Sequence, residues 1–127
     1  MTLNEIRDKA FAYAEKQGFH EKPVNFAERL MLIVSELSEA LEAHRKGEAF
    51  DPNARIEEGE KLPDPESVGK SGDYTLFIKG SIAEEFADAI IRIGDLAGIF
   101  GIDLDWHVKA KMAYNSTRPY KHGKMYG

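Results

Sequence analysis

The chain has 127 residues, 43% of them apolar, 31% charged and 10% aromatic. That is enough for one folded domain, 1–127, and it excludes a disordered composition. The absence of cysteine excludes disulfide scaffolds, zinc–thiolate and iron–sulfur centres, and thiol nucleophiles. The net charge of −5 conceals an asymmetry: residues 106–127 carry no acid and a local charge of +5, which leaves −10 on the rest. An acidic body with a short basic end lacks the broad positive face that a nucleic acid requires. The apolar run at 30–34 is far too short to span a bilayer. Glu5, Arg7, Asp8 and Lys9 argue against a signal peptide, so a cytoplasmic protein is expected.

Four helices are predicted, three of them opened by the same device. Thr2 with Glu5, Asn25 with Glu28 and Ser81 with Glu84 each put a capping oxygen three residues before a glutamate. The first helix covers residues 3–17, with Leu3, Ile6, Ala10, Tyr13 and Ala14 on its apolar stripe and Gly18 as its stop. The second covers 26–46, with Phe26, Leu30, Ile33, Leu37 and Leu41 facing inward. A segment at 47–80 follows, rich in Pro, Asp, Asn and Gly, in which Tyr74 to Ile78 reads as a short strand. The third helix covers 82–98 or 82–100, and a fourth, capped by Asp103, covers 104–115 before Pro119.

The acids on the second and third helices carry the chemistry. Glu84, Glu85, Asp88, Arg92 and Asp95 share one sector about 100° wide, and the rest of the third helix is apolar. So apolar a girth calls for burial on most sides, which a lone chain of this size does not supply, and an oligomer is expected. Glu36 and Glu39 lie one turn apart on the second helix. If the two helices run antiparallel, Glu36 and Glu39 come to a depth similar to that of Glu85 and Asp88. Without a cation, four converging carboxylates would repel one another and pay for desolvation, so some would protonate. Oxygen donors without Cys or His nearby select Mg²⁺, with Mn²⁺ as a substitute, and a triphosphate is the natural companion. Di-iron bundles need Glu-x-x-His pairs, which none of His20, His44, His107 or His122 provides.

Lys111, Asn115 and Arg118, spaced four and three apart, supply a point charge, an amide and a planar fork suited to phosphate. Lys124 extends the basic strip. His20, with Phe19 and Phe26, can offer stacking and a hydrogen bond to a base, although a histidine in such a turn is more often simply exposed.

Glu36-Leu37-Ser38-Glu39 followed by Glu85-Phe86-Ala87-Asp88 resembles the Glu-x-x-Glu … Glu-x-x-Asp signature of the MazG-like nucleotide pyrophosphohydrolases. Lys111 to Arg118 resembles their Lys-x-x-x-Asn-x-x-Arg segment, and together the matches cover about 25–46 and 81–124. The resemblance implies an all-α, four-helix bundle-like MazG-type fold with a long insertion between helices two and three, assembled as a homodimer or homotetramer. It further implies that Glu36, Glu39, Glu85 and Asp88 hold Mg²⁺ and carry catalysis, while Lys111, Asn115 and Arg118 contact phosphates or sugar. The implied reaction is hydrolysis of a (deoxy)nucleoside triphosphate to monophosphate and pyrophosphate in nucleotide-pool housekeeping. A dCTP- or dUTP-selective pyrophosphatase of the same superfamily and a non-catalytic helical interaction module are the alternatives. The insertion at 47–80 is expected to cover the nucleotide pocket.

Overall fold

The computed structural model describes residues 1–55 and 61–120. Among them every regular element is helical and none is a strand. In chain order these are α1 (Leu3–Lys16), α2 (Phe26–Arg45), a 3₁₀ turn (Pro52–Arg55), α3 (Pro65–Gly69), a π-helical turn (Tyr74–Ile78), α4 (Ile82–Ile99) and α5 (Leu104–Ser116).

The starts fall where side-chain oxygens replace missing helical acceptors. Glu5 N–H donates to Thr2 Oγ1 at 3.1 Å, Glu28 N–H to Asn25 Oδ1 at 3.1 Å, Glu84 N–H to Ser81 Oγ at 3.2 Å, and Trp106 N–H to Asp103 Oδ1 at 3.0 Å. Each such cap is worth about 0.5–2 kcal/mol. At α4 the box closes from both sides, because Gly80 N–H donates to Glu84 Oε1 at 2.9 Å. Gly80 has φ +84°, a conformation that would strain a side-chain-bearing residue.

The predicted strand at Tyr74–Ile78 is corrected to a π turn, in which Lys79 N–H reaches the Tyr74 carbonyl at 2.9 Å. A strand needs a neighbour to satisfy its backbone, and the described residues offer none; the turn satisfies itself.

The chain divides into two compact units, one of residues 1–23 with 93–127 and the other of residues 24–92. In the first, α1 and α5 cap each other's starts. Leu3 and Asn4 N–H donate to the Asp105 carboxylate at 3.0 and 3.1 Å, and Leu104 N–H donates to Asn4 Oδ1 at 2.9 Å. Gly98 lets α4 approach α1 so closely that an added Cβ would stand 2.8 Å from Phe11 Cβ.

In the second unit, α2 and the start of α4 run antiparallel. Ala40, Ala43 and Ile82 form a small buried cluster, while Ile82 and Ala83 N–H bond the carbonyls of Ala49 and Phe50 at 3.0 and 2.8 Å. Antiparallel pairing brings Glu36 and Glu39 alongside the first turns of α4.

The buried residues are mostly alanines, and no large described side chain is fully buried. This corrects the inward stripe expected of α2: Phe26, Leu30, Leu37 and Leu41 are exposed and Ile33 is half-buried. Tyr13 of α1 and Phe86, Ile90, Ile91 and Ile93 of α4 are likewise exposed. Periodicity identifies an apolar face, but a single chain this short lacks the elements to cover it. No helix among the described residues is long and apolar enough to cross a membrane.

Candidate metal centre

Glu36 and Glu39 rise from adjacent turns of α2, and Glu85 faces them from the first turn of α4. One carboxylate oxygen from each lies within 4.8 Å of the others. Glu36 and Glu85 are buried and Glu39 is exposed, so the group opens to solvent on one side. A cavity of about 240 Å³ adjoins it, lined by Glu39, Glu42, Lys46, Glu48 and Glu85 among others.

Crowding these carboxyls splits their protonation. Arg92 Nε donates to Glu36 Oε1 at 2.6 Å. Burial pushes the Glu36 carboxyl up, but the hydrogen bond from Arg92, a hydrogen bond with the Glu39 carboxyl and the Arg92 charge outweigh it and hold Glu36 below its ordinary range. Among the described residues no cation pairs with Glu85. Burial, then Glu39 and Glu36, push it up to about 7. Burial and the charges of Glu36 and Glu84 also raise Asp88.

Two oxygens remain without partners: Glu36 Oε2 and Glu85 Oε2 are buried and accept no hydrogen bond. Leaving a buried polar atom unsatisfied costs about 1–3 kcal/mol, more for a charged group. A cation placed among the three glutamates would satisfy both. Their all-oxygen donor set fits a hard divalent ion, and the group can hold a metal.

Of the four carboxylates singled out in the sequence, three are thus gathered. Asp88 is half-buried one turn beyond Glu85 and lies outside the group of three, although it senses the Glu36 charge. Lys111, Asn115 and Arg118 belong to the other compact unit. There the Lys111 ammonium lies 4.9 Å, and the Arg118 guanidinium 5.6 Å, from the centre of the Tyr114 ring. Asn115 Oδ1 is buried without a partner. Lys124 lies outside the described residues.

His20 is not the exposed turn residue that its neighbours in sequence suggest. Its Nδ1 pairs with Glu15 Oε2 at 2.5 Å and its Nε2 with Asp95 Oδ1 at 2.8 Å, and its ring packs on Phe11 at 4.7 Å. Both nitrogens are engaged by carboxylates. Burial alone would depress the imidazole pKa, but the two carboxylates outweigh it and raise it.

Two residues of the site escaped the sequence reading. Arg92 is the lone cation in the acidic sector of its helix, and that is the one signal in the sequence that could mark it. Tyr74 gave no signal, because nothing in the order of residues 47–80 shows that its hydroxyl meets Glu84. That contact, with burial and the charges of Glu84, Asp88 and Glu85, pushes Tyr74 up to about 12.

No family model, curated protein or solved structure matches this chain.

Proposed function

We infer that the protein is a Mg²⁺-dependent nucleoside triphosphate pyrophosphohydrolase of the MazG-like kind, working as a homo-oligomer. The observation that carries this reading is the pair of orphaned oxygens, Glu36 Oε2 and Glu85 Oε2, within a trio of glutamates on facing helices. The order of the Glu-x-x-Glu, Glu-x-x-Asp and Lys-x-x-x-Asn-x-x-Arg segments supports the assignment of substrate and reaction.

Glu36, Glu39 and Glu85 would hold the ion, with Asp88 one turn away. When bound, Mg²⁺ neutralises polyphosphate charge and acidifies water. The chain's own residues prepare for that. Arg92 keeps Glu36 ionised, Glu85 retains a proton near neutrality until a cation displaces it, and Tyr74 stays a neutral donor beside Glu84. By their resemblance to the Lys-x-x-x-Asn-x-x-Arg segment alone, Lys111, Asn115 and Arg118 are the candidates for phosphate and sugar contacts, with Lys124 following them in the sequence.

The exposed apolar faces of α2 and α4 support self-association. Leu30, Leu37 and Leu41 on one helix and Phe86 and Ile90 on the other present more apolar surface than a monomer ordinarily leaves in water.

The test combines a panel of nucleoside triphosphates with Mg²⁺, read as pyrophosphate against orthophosphate release, and thermal unfolding with and without the metal. Pyrophosphate release and a rise in Tm with Mg²⁺, both lost in Glu39→Gln, are expected. A helical interaction module would show neither.

A further inference from the structure

Residues from 47–53 and 63–78 line a second cavity in the unit that holds the glutamates. It measures about 640 Å³, within the range of small-molecule sites. Its half-buried floor includes Ala49, Pro52, Val68 and Ile78. Leu76 and Phe77 line it from the π turn, yet remain 75% and 68% exposed. The turn is fixed by Lys79 N–H on the Tyr74 carbonyl and by Tyr74 beside Glu84.

Charge sets the chemistry that this cavity accepts. Its polar side chains are Glu48, Asn53 and Asp73, and no described lining residue is cationic. Carboxylates accept and never donate, so they favour a ligand edge bearing N–H donors. Glu48 also lines the cavity beside Glu39 and Glu85, where Lys46 supplies a positive charge. The two cavities thus share Glu48 as a common wall.

We propose that the second cavity is the base subsite, where Phe77 stacks on the nucleobase while Glu48 and Asp73 select bases with an exocyclic amino group over uracil and thymine. Cytosine and adenine present an N–H₂ donor, as guanine does, whereas the single N3–H donor of uracil and thymine is flanked by two carbonyl oxygens that a carboxylate repels. The proposal rests on the nucleotide reading above and deepens it.

Two measurements on the full chain separate this proposal from that reading. In the first, methyl-labelled protein is titrated with dCMP, dAMP and dTMP. Saturable shifts at Val68, Leu76 and Ile78 are expected, with dCMP and dAMP binding about fivefold or more tightly than dTMP. Phe77→Ala should weaken dCMP binding about tenfold, and Asp73→Asn should narrow the dCMP-to-dTMP ratio. Unchanged methyl positions, equal binding of dTMP, or no effect of Phe77→Ala in a folded variant would overturn the subsite. In the second, steady-state hydrolysis of dCTP by Phe77→Ala should show KM rising more than kcat falls. Methyl shifts without hydrolysis of any triphosphate would keep the subsite and end the hydrolase reading. Hydrolysis that depends on Glu39 but leaves these methyls unmoved would do the reverse.

Discussion

Arg92 Nε stands 2.6 Å from Glu36 Oε1, an ion pair between α4 and α2 that leaves the second Glu36 oxygen unpartnered. The carboxylate is almost wholly buried and the guanidinium is 41% exposed, so solvent screens the pair from one side. Arg92→Met should therefore destabilise the metal-free protein by about 1–2 kcal/mol, less than a fully buried pair would cost. Saturating Mg²⁺ should recover much of that loss. Urea unfolding with and without the metal measures both, and a variant as stable as the parent would show the pair to be idle.

Glu39→Gln and Asp88→Asn address the two kinds of carboxylate, one within the group of three and one beside it. Both should lose turnover while far-ultraviolet circular dichroism stays helical. Glu39→Gln should also remove Mg²⁺-linked stabilisation, since it deletes a charge within 4.8 Å of its partners. Near-normal activity in both variants would refute the site.

The proton on Glu85 makes metal-free stability depend on pH. Its carboxyl titrates at about 7 in the fold, against 4.5 for the free side chain. Between those values the folded chain holds a proton that the unfolded chain has released. Folding is then favoured at the acidic end of the window and weakened as pH rises from 4.5 through about 7. The Tm in chelator should fall across that window, and Glu85→Gln, neutral throughout, should flatten the slope.

His20 titrates with the same sign in a different range. Held between Glu15 and Asp95, its imidazole is raised above the ordinary 6.5. The contribution is complete below 6.5 and is lost as pH climbs through the raised value. His20→Gln should accordingly be less stable than the parent at pH about 6, with the gap closing in alkaline buffer. A gap that is constant with pH would mean that packing on Phe11, not charge, is what the histidine supplies.

Gly98 tests close packing in the other unit. Alanine there meets Phe11 Cβ at 2.8 Å, backed by the Phe11 ring, so Gly98→Ala should cost about 1–3 kcal/mol. Adding Phe11→Ala should return part of that loss, a non-additivity that a double-mutant cycle reads directly.

Helix positions were legible because they depend on neighbours in sequence. Thr2, Asn25, Ser81 and Asp103 cap where their spacing predicts, and the long helices end within a residue or two of expectation. The pairing of Glu36 and Glu39 with Glu85 was partly legible, since equal depth on antiparallel helices follows from rise per residue. The π turn at Tyr74–Ile78 was not, because aromatic and β-branched residues suit a strand until one asks what would pair with it. Nor was the clasp on His20, whose partner Asp95 lies 75 residues away.

Local sequence is enough to make this chain helical, to start its long helices where they start, and to put acid or hydrocarbon on a given face of each. Those properties follow from local hydrogen bonding and from a fixed angular step along the helix. Long-range packing, in contrast, settles that Arg92 pairs with Glu36 while the Glu85 carboxyl is pushed up to about 7, and that a single chain leaves the α2 stripe uncovered. Charge balance and burial are set by what arrives from distant segments, and no spacing along the chain encodes which neighbour that will be.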